Sequence, residues 1–142
     1  MILSMKDSVN IQYRSDMSFN AEVNGHKMII DSSEEYGGNN EGPRPKSLML
    51  LALAGCTGMD VVLMMNKMKI RFDSFRINVE GNVTEEHPKH FNHMHITYII
   101  KGNDIPADKV NMAISLSQEK YCGVSYSYRL AMKLTHELII EE

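Results

Sequence analysis

From Val9 the chain alternates. Val9, Ile11 and Tyr13 are spaced by Asn10, Gln12 and Arg14, and after a Ser15-Asp16 turn Met17, Phe19, Ala21 and Val23 are spaced by Ser18, Asn20 and Glu22. A period of two puts each apolar set on one face, which predicts two half-buried strands. Asn24-Gly25 then leads into a third strand, His26 to Ile30. Both turn residues tolerate the positive φ of a type I′ turn, so the chain is expected to open as a three-stranded antiparallel meander. Asp31 to Gly42 is polar; its Gly37-Gly38 pair lacks the G-x-x-x-x-G-K-[ST] pattern of a phosphate cradle and reads as a surface loop.

The period then changes. After Pro43 and Pro45, Leu48 to Ala54 is apolar without interruption, and Val61, Val62, Met64, Met65 and Met68 continue a helical spacing. Pro45 suits a first helical position, where its missing N–H costs nothing. A helix from Lys46 to about Lys69 would be roughly 36 Å long at ~1.5 Å per residue. Being apolar on every side from Leu48 to Cys56, it is expected to be buried all round, with a second copy of the chain helping to cover it. The run just reaches the length of a bilayer span, but Asp60, Thr57 and two glycines interrupt it. A charge near a bilayer centre costs at least about 2.5 kcal/mol, so a core helix is the better reading.

Strand periodicity returns afterwards. Ile70 and Phe72 lie in one phase and Phe75, Ile77 and Val79 in the other, so a bulge is expected at Asp73-Ser74. A charged turn region spans Gly81 to His90, and the next strand carries Met94, Ile96, Tyr98 and Ile100 on its core face with His93, His95 and Thr97 opposite. Pro106 opens a second helix with Val110, Ala113, Ile114, Ser117 and Tyr121 inward, reaching Cys122 before Gly123 punctuates it. The last strand has Leu130, Met132, Leu134, His136, Leu138 and Ile140 on one face. The order βββ-α-ββ-α-β predicts an α+β fold in a single domain over residues 1–142.

Composition narrows the function. A net charge of −3 without a basic, aromatic-interleaved patch excludes a nucleic-acid surface. The start, Met1 to Asp7, lacks the apolar run of a secretory leader, so a cytoplasmic protein without a membrane anchor is expected. There, Cys56 and Cys122 are expected to be reduced or redox-active rather than a structural staple. Either alone reads as a buried core thiol; as a pair on two helices they are candidates for chemistry. Asp60, four residues after Cys56, would raise that thiol's pKa if it faced the sulfur. His93 and His95 share a strand face but read as solvated, His136 reads as a core histidine, and no Ser-His-Asp arrangement appears.

Two segments together carry a resemblance. Gly37-Gly38-Asn39, Gly42-Pro-Arg-Pro45 and Leu48-Met-Leu-Leu-Ala-Leu-Ala-Gly-Cys56, with Leu116-Ser117, Glu119-Lys120-Tyr121-Cys122 and the intervening Pro88, Phe91, His93 and Ile96, resemble the OsmC/Ohr family of thiol-dependent peroxidases. The likeness runs from about Val9 to Ile140 and implies an intertwined homodimer whose long central helices lie against two sheets. It implies that Cys56 is the peroxidatic cysteine and Cys122 the resolving one, joined as a disulfide intermediate that an external dithiol re-reduces. The implied substrate is an organic hydroperoxide, and no metal, flavin or haem is implied. Where the family's peroxidases carry a glutamate after the helix-opening proline, this chain has Lys46 and Ser47, and Arg14 is the candidate for their arginine. That departure motivates an alternative, a non-catalytic relative holding a small hydrophobic ligand in the dimer cleft.

Overall fold

A computed structural model describes residues 5–142; Met1 to Ser4, part of the start read above as lacking a leader, lie outside the described residues. Two compact units meet between Met49 and Leu50, within the long helix.

The first unit is the expected meander. Strands β1 (Val9–Ser15), β2 (Ser18–Val23) and β3 (His26–Ile30) form an antiparallel sheet in the order β1-β2-β3. Asn24 and Gly25 both take positive φ, 52° and 80°, as the hairpin requires. The expected half-burial fails at β1, where Val9, Ile11 and Tyr13 are 65%, 48% and 61% exposed. Alternation marks the strand correctly, yet its apolar residues stand in the open. The polar loop is more ordered than its composition suggests. Buried Asp31 accepts the backbone N–H groups of Ser32 (2.7 Å), Asn39 (3.1 Å) and Glu41 (3.1 Å). The loop presses so closely on β3 that a Cβ at Gly42 would stand 1.9 Å from the Ile29 carbonyl oxygen.

The second unit holds the core. Helix α1 (Pro45–Lys67) begins at its proline as expected. Only Leu53, Thr57, Val61 and Met65, one residue per turn, are buried, while Met59 and Leu63 on the other side are 77% and 54% exposed. The expected all-round burial is therefore not met among the described residues. Strand β4 (Ser74–Val83) starts where a bulge was expected, leaving Ile70 and Phe72 ahead of it, and continues through Gly81 to Val83, which had read as turn. It pairs antiparallel with β5 (Phe91–Lys101), and β5 pairs parallel with β6 (Lys133–Glu141). Met94, Ile96, Tyr98 and Ile100 of β5 are fully buried, as their alternation predicts. A Cβ at Gly58 would come within 2.9 Å of Ile77 Cδ1, so glycine lets α1 lie close on this sheet.

Helix α2 (Ala107–Leu116) follows Pro106 and buries Val110, Ala113 and Ile114. It does not run on to Cys122 as an α-helix. A π turn, Ser117–Tyr121, ends it, and a short helix α3 (Gly123–Arg129) that the sequence reading did not foresee precedes β6. The extra residue per turn changes the helical phase. Tyr121, expected inward, is consequently exposed, and Leu130, assigned to the last strand, caps α3 in the open.

Candidate functional site

Residues four apart on a helix share a face. Cys56 and Asp60 of α1 therefore stand together at the margin of its buried stripe, each half-buried, beside the fully buried Thr57. The opposite wall comes from the end of α2. The π turn closes with the Cys122 N–H donating to the Ser117 carbonyl (2.8 Å), after which the backbone extends at Cys122 (φ −77°, ψ 103°) and re-enters a helix. Cys122 is thus the N-cap of α3, and its Sγ accepts the Ser125 N–H at 3.3 Å. This places Cys122 opposite Cys56. The two sulfurs and a carboxylate oxygen of Asp60 all lie within 4.8 Å of one another, and both cysteines are free thiols.

A chain of hydroxyls runs into Asp60 from behind. Ser117 Oγ donates to Asp60 Oδ2 at 3.0 Å and sits 2.8 Å from Thr57 Oγ1, which is 2.6 Å from the Tyr98 hydroxyl. A hydroxyl has one proton to give. Once Ser117 donates to Asp60, Thr57 must donate to Ser117 and Tyr98 to Thr57. Gln118 Nε2 then fills the remaining acceptor sites on Thr57 (3.1 Å) and Tyr98 (3.0 Å), and Arg129 holds the Gln118 carbonyl. Every proton in this buried set points toward the carboxylate. The periodicity puts Tyr98 and Ser117 on core faces and marks Thr57 as a polar interruption of the long helix, but it does not show that three elements join them.

The electrostatics follow. Burial first, and then hydrogen bonding to Cys122, pushes the Cys56 thiol above its ordinary value; the Val124 N–H opposes this, while the negative charges of Cys122 and Asp60 add to it. Tyr98 is raised by burial, against its bonds to Thr57 and Gln118, and again by the charges of Cys122 and Asp60. Tyr128 is raised by burial and then by Cys122. Asp60 stands close to the sulfur, and its charge is among the influences that raise the thiol, as its spacing four residues on makes possible.

Arg14, the candidate for the family's arginine, pairs with Glu41 at 2.8 Å in the first unit, and Lys120 Nζ stands 5.2 Å from the centre of the Tyr121 ring. His93 and His95 are not simply solvated: His93 Nε2 and His95 Nδ1 both bond Thr135 Oγ1 at 2.7 Å, and His95 Nε2 reaches Glu137 at 3.2 Å. His136 is not a core residue either; it is exposed and edge-on to Tyr98, with ring centroids 6.1 Å apart.

The model of the family described as OsmC-like protein matches residues 38–137, a span that contains both cysteine segments. The chain belongs to the OsmC-like family. It is 29% identical over 114 residues to Protein YhfA of Escherichia coli K12, covering 80% of this chain and 82% of that one. Among solved structures, a protein from Aquifex aeolicus VF5 superposes with a TM-score of 0.82 at 24% identity, over 98% of this chain and 100% of that one. An organic hydroperoxide resistance protein OsmC from Legionella pneumophila, also titled a predicted redox protein, does so with a TM-score of 0.67 at 14% identity, over 99% and 100%. At these identities the solved structures establish the OsmC fold, which is the α+β arrangement expected from the resemblance. Helix α1 is long and apolar enough to cross a membrane by length and composition alone. Its Thr57 and Asp60, however, are bonded to Tyr98 and Ser117 of the same folded unit.

Proposed function

We propose that this OsmC-like protein is a cytoplasmic two-cysteine thiol redox protein that reduces organic hydroperoxides. One observation carries the reading: two free sulfurs from separate helical segments, each receiving a backbone N–H from the start of α3, come within 4.8 Å of each other. That is a separation a side-chain rotation can close to a bond. In the first step the Cys56 thiolate attacks a peroxide oxygen, the O–O bond breaks, and the alkoxide leaves as an alcohol after taking a proton. Cys56 is then a sulfenic acid. The Cys122 thiolate attacks that sulfur, the S–O bond breaks, and water departs, leaving a Cys56–Cys122 disulfide. A dithiol reductant restores both thiols by exchange.

The raised Cys56 thiol sets the tempo. Only the thiolate is nucleophilic, so reaction is slow at neutral pH and quickens as the pH rises. The chain works as one OsmC-like domain in a homodimer, in which a second copy covers the exposed Met59 and Leu63 of α1 and requires no nucleic acid or membrane. A sedimentation mass of one chain would overturn the dimer.

The test is intact-mass analysis of the anaerobic reduced protein after one equivalent of an organic hydroperoxide, followed by alkylation. Loss of both free thiols with a crosslinked Cys56–Cys122 peptide is expected, and Cys56→Ser is expected to abolish turnover. Steady turnover by Cys56→Ser would sink the assignment. Thiols that stay free, at high pH as well as neutral, would favour the non-catalytic alternative, a ligand-binding relative. The absent family glutamate (Lys46 and Ser47 here) and the raised Cys56 thiol are the observations behind that alternative.

A further inference from the structure

We propose that Cys56, Asp60 and Cys122, when both thiols are reduced, form a binding site for one divalent ion of the zinc type. The inference goes beyond peroxide reduction and does not rest on it. Three potential ligand atoms, two sulfurs and a carboxylate oxygen, lie within 4.8 Å of one another. Paired thiolates select a zinc-like ion over magnesium or calcium, and three protein ligands leave the fourth tetrahedral position open to water. A shift of well under a side-chain rotamer would bring such atoms to bonding distance of a common centre.

The surroundings suit an ion as well. Metal ligands need partners that fix their direction, and all three here have one. Ser117 Oγ holds Asp60 Oδ2 and leaves the other oxygen available. Val124 N–H serves Cys56 and Ser125 N–H serves Cys122. The hydroxyl relay from Tyr98 through Thr57 and Ser117 converges on Asp60 as its final acceptor. Two sulfurs and a carboxylate thus face one another, and the charges of Cys122 and Asp60 bear on Tyr98 as well. Ser125 Oγ, on the residue whose N–H supports Cys122, is the single buried side-chain polar atom among the described residues without a hydrogen-bond partner.

The probe is cobalt, which reports thiolate ligation directly. Anaerobic, reduced protein titrated with Co²⁺ is expected to develop a thiolate-to-cobalt charge-transfer band that saturates at one ion per chain and disappears when one equivalent of Zn²⁺ is added. Asp60→Asn, which keeps an acceptor for Ser117 but loses the anionic ligand, is expected to weaken Zn²⁺ at least about tenfold, the lower bound for disturbing even a supporting group. Wild-type protein gives a second readout independent of any variant's folding: saturating Zn²⁺ should protect both thiols from alkylation. Cobalt that binds without the charge-transfer band would be sitting on surface histidines, and that result overturns the site. So would undiminished alkylation under saturating Zn²⁺, or an Asp60→Asn affinity equal to wild type. No peroxide enters these measurements, so their failure leaves the redox reading standing.

Discussion

Asp31 in the first unit and Cys56 in the second are both acidic groups withdrawn from water, and their surroundings push them in opposite directions. Burial alone would raise both. At Asp31, burial is outweighed by the backbone N–H groups of Glu41, Ser32 and Asn39 together with the charge of Arg44, and the carboxyl is held below its ordinary value. At Cys56, the single N–H of Val124 is outweighed by burial, by hydrogen bonding to Cys122 and by two negative neighbours, and the thiol is held above its ordinary value. The first is an anion with its donors already assembled; it fixes a loop. The second is a group whose charged form the protein does not support on its own. A site left in that condition has room for something positive, whether a proton, a metal ion or the charge reorganisation of a reaction.

The largest effect expected from breaking this contrast is at Asp31. Both carboxylate oxygens are used, Oδ1 by Ser32 and Oδ2 by Asn39 and Glu41. In Asp31→Asn an NH₂ must face at least one of those N–H donors, so an acceptor becomes a donor in a buried position. The loop from Asp31 to Gly42 is expected to loosen, with lost hydrogen-exchange protection at Asn39 and Glu41 and a lower melting temperature. The sign of the pH dependence follows. A carboxyl whose folded pKa is depressed contributes stability that is fully present above its unfolded value and is lost as pH falls through the folded one. Wild type should therefore lose stability across that acidic range, and Asp31→Asn should show a flatter acid limb. An unchanged acid limb would mean that Asp31 does not hold the loop.

The same contrast explains what could be read from the sequence. Strand alternation was legible wherever a covering layer exists within the chain, as at Met94, Ile96, Tyr98 and Ile100. It misjudged burial at Val9, Ile11 and Tyr13, because alternation reports which face is apolar and not what lies on it. Asn24-Gly25 was legible because its φ requirement is local. Helix α3 was not: a cysteine is an unusual N-cap, and Gly123, which normally closes a helix, here opens one. The π turn before it shifted the phase and carried Tyr121 outward. Both cysteines of the site stood out by their segments. The Asp60 relay did not, because Tyr98 and Ser117 look like ordinary core positions and Thr57 like a polar break in the helix until α1, β5 and the π turn are brought together.

A smaller and sharper effect is expected at Asp60, where the two chemistries proposed for the cysteine pair part company. Asn is nearly the same shape as Asp and can still accept from Ser117, so Asp60→Asn should remove a charge with little disturbance to the buried relay. For the thiol, the lost charge is one of the influences that raise Cys56, so its ionisation should move to lower pH. Alkylation of Cys56 at neutral pH should then run several-fold faster than in wild type, and the rates should converge at high pH, where both thiols are ionised. For an ion the same change removes a ligand, and affinity should fall. One substitution thus raises the reactivity of the sulfur and lowers the affinity of the cluster. If alkylation instead slowed, Asp60 would be assisting the thiol as a base rather than opposing its ionisation, and the contrast with Asp31 would have to be redrawn. The direction of the change at neutral pH separates the two, since a lost base slows the reaction only where the thiol is still protonated, whereas a lost repulsion speeds it there; both leave the high-pH plateau in place.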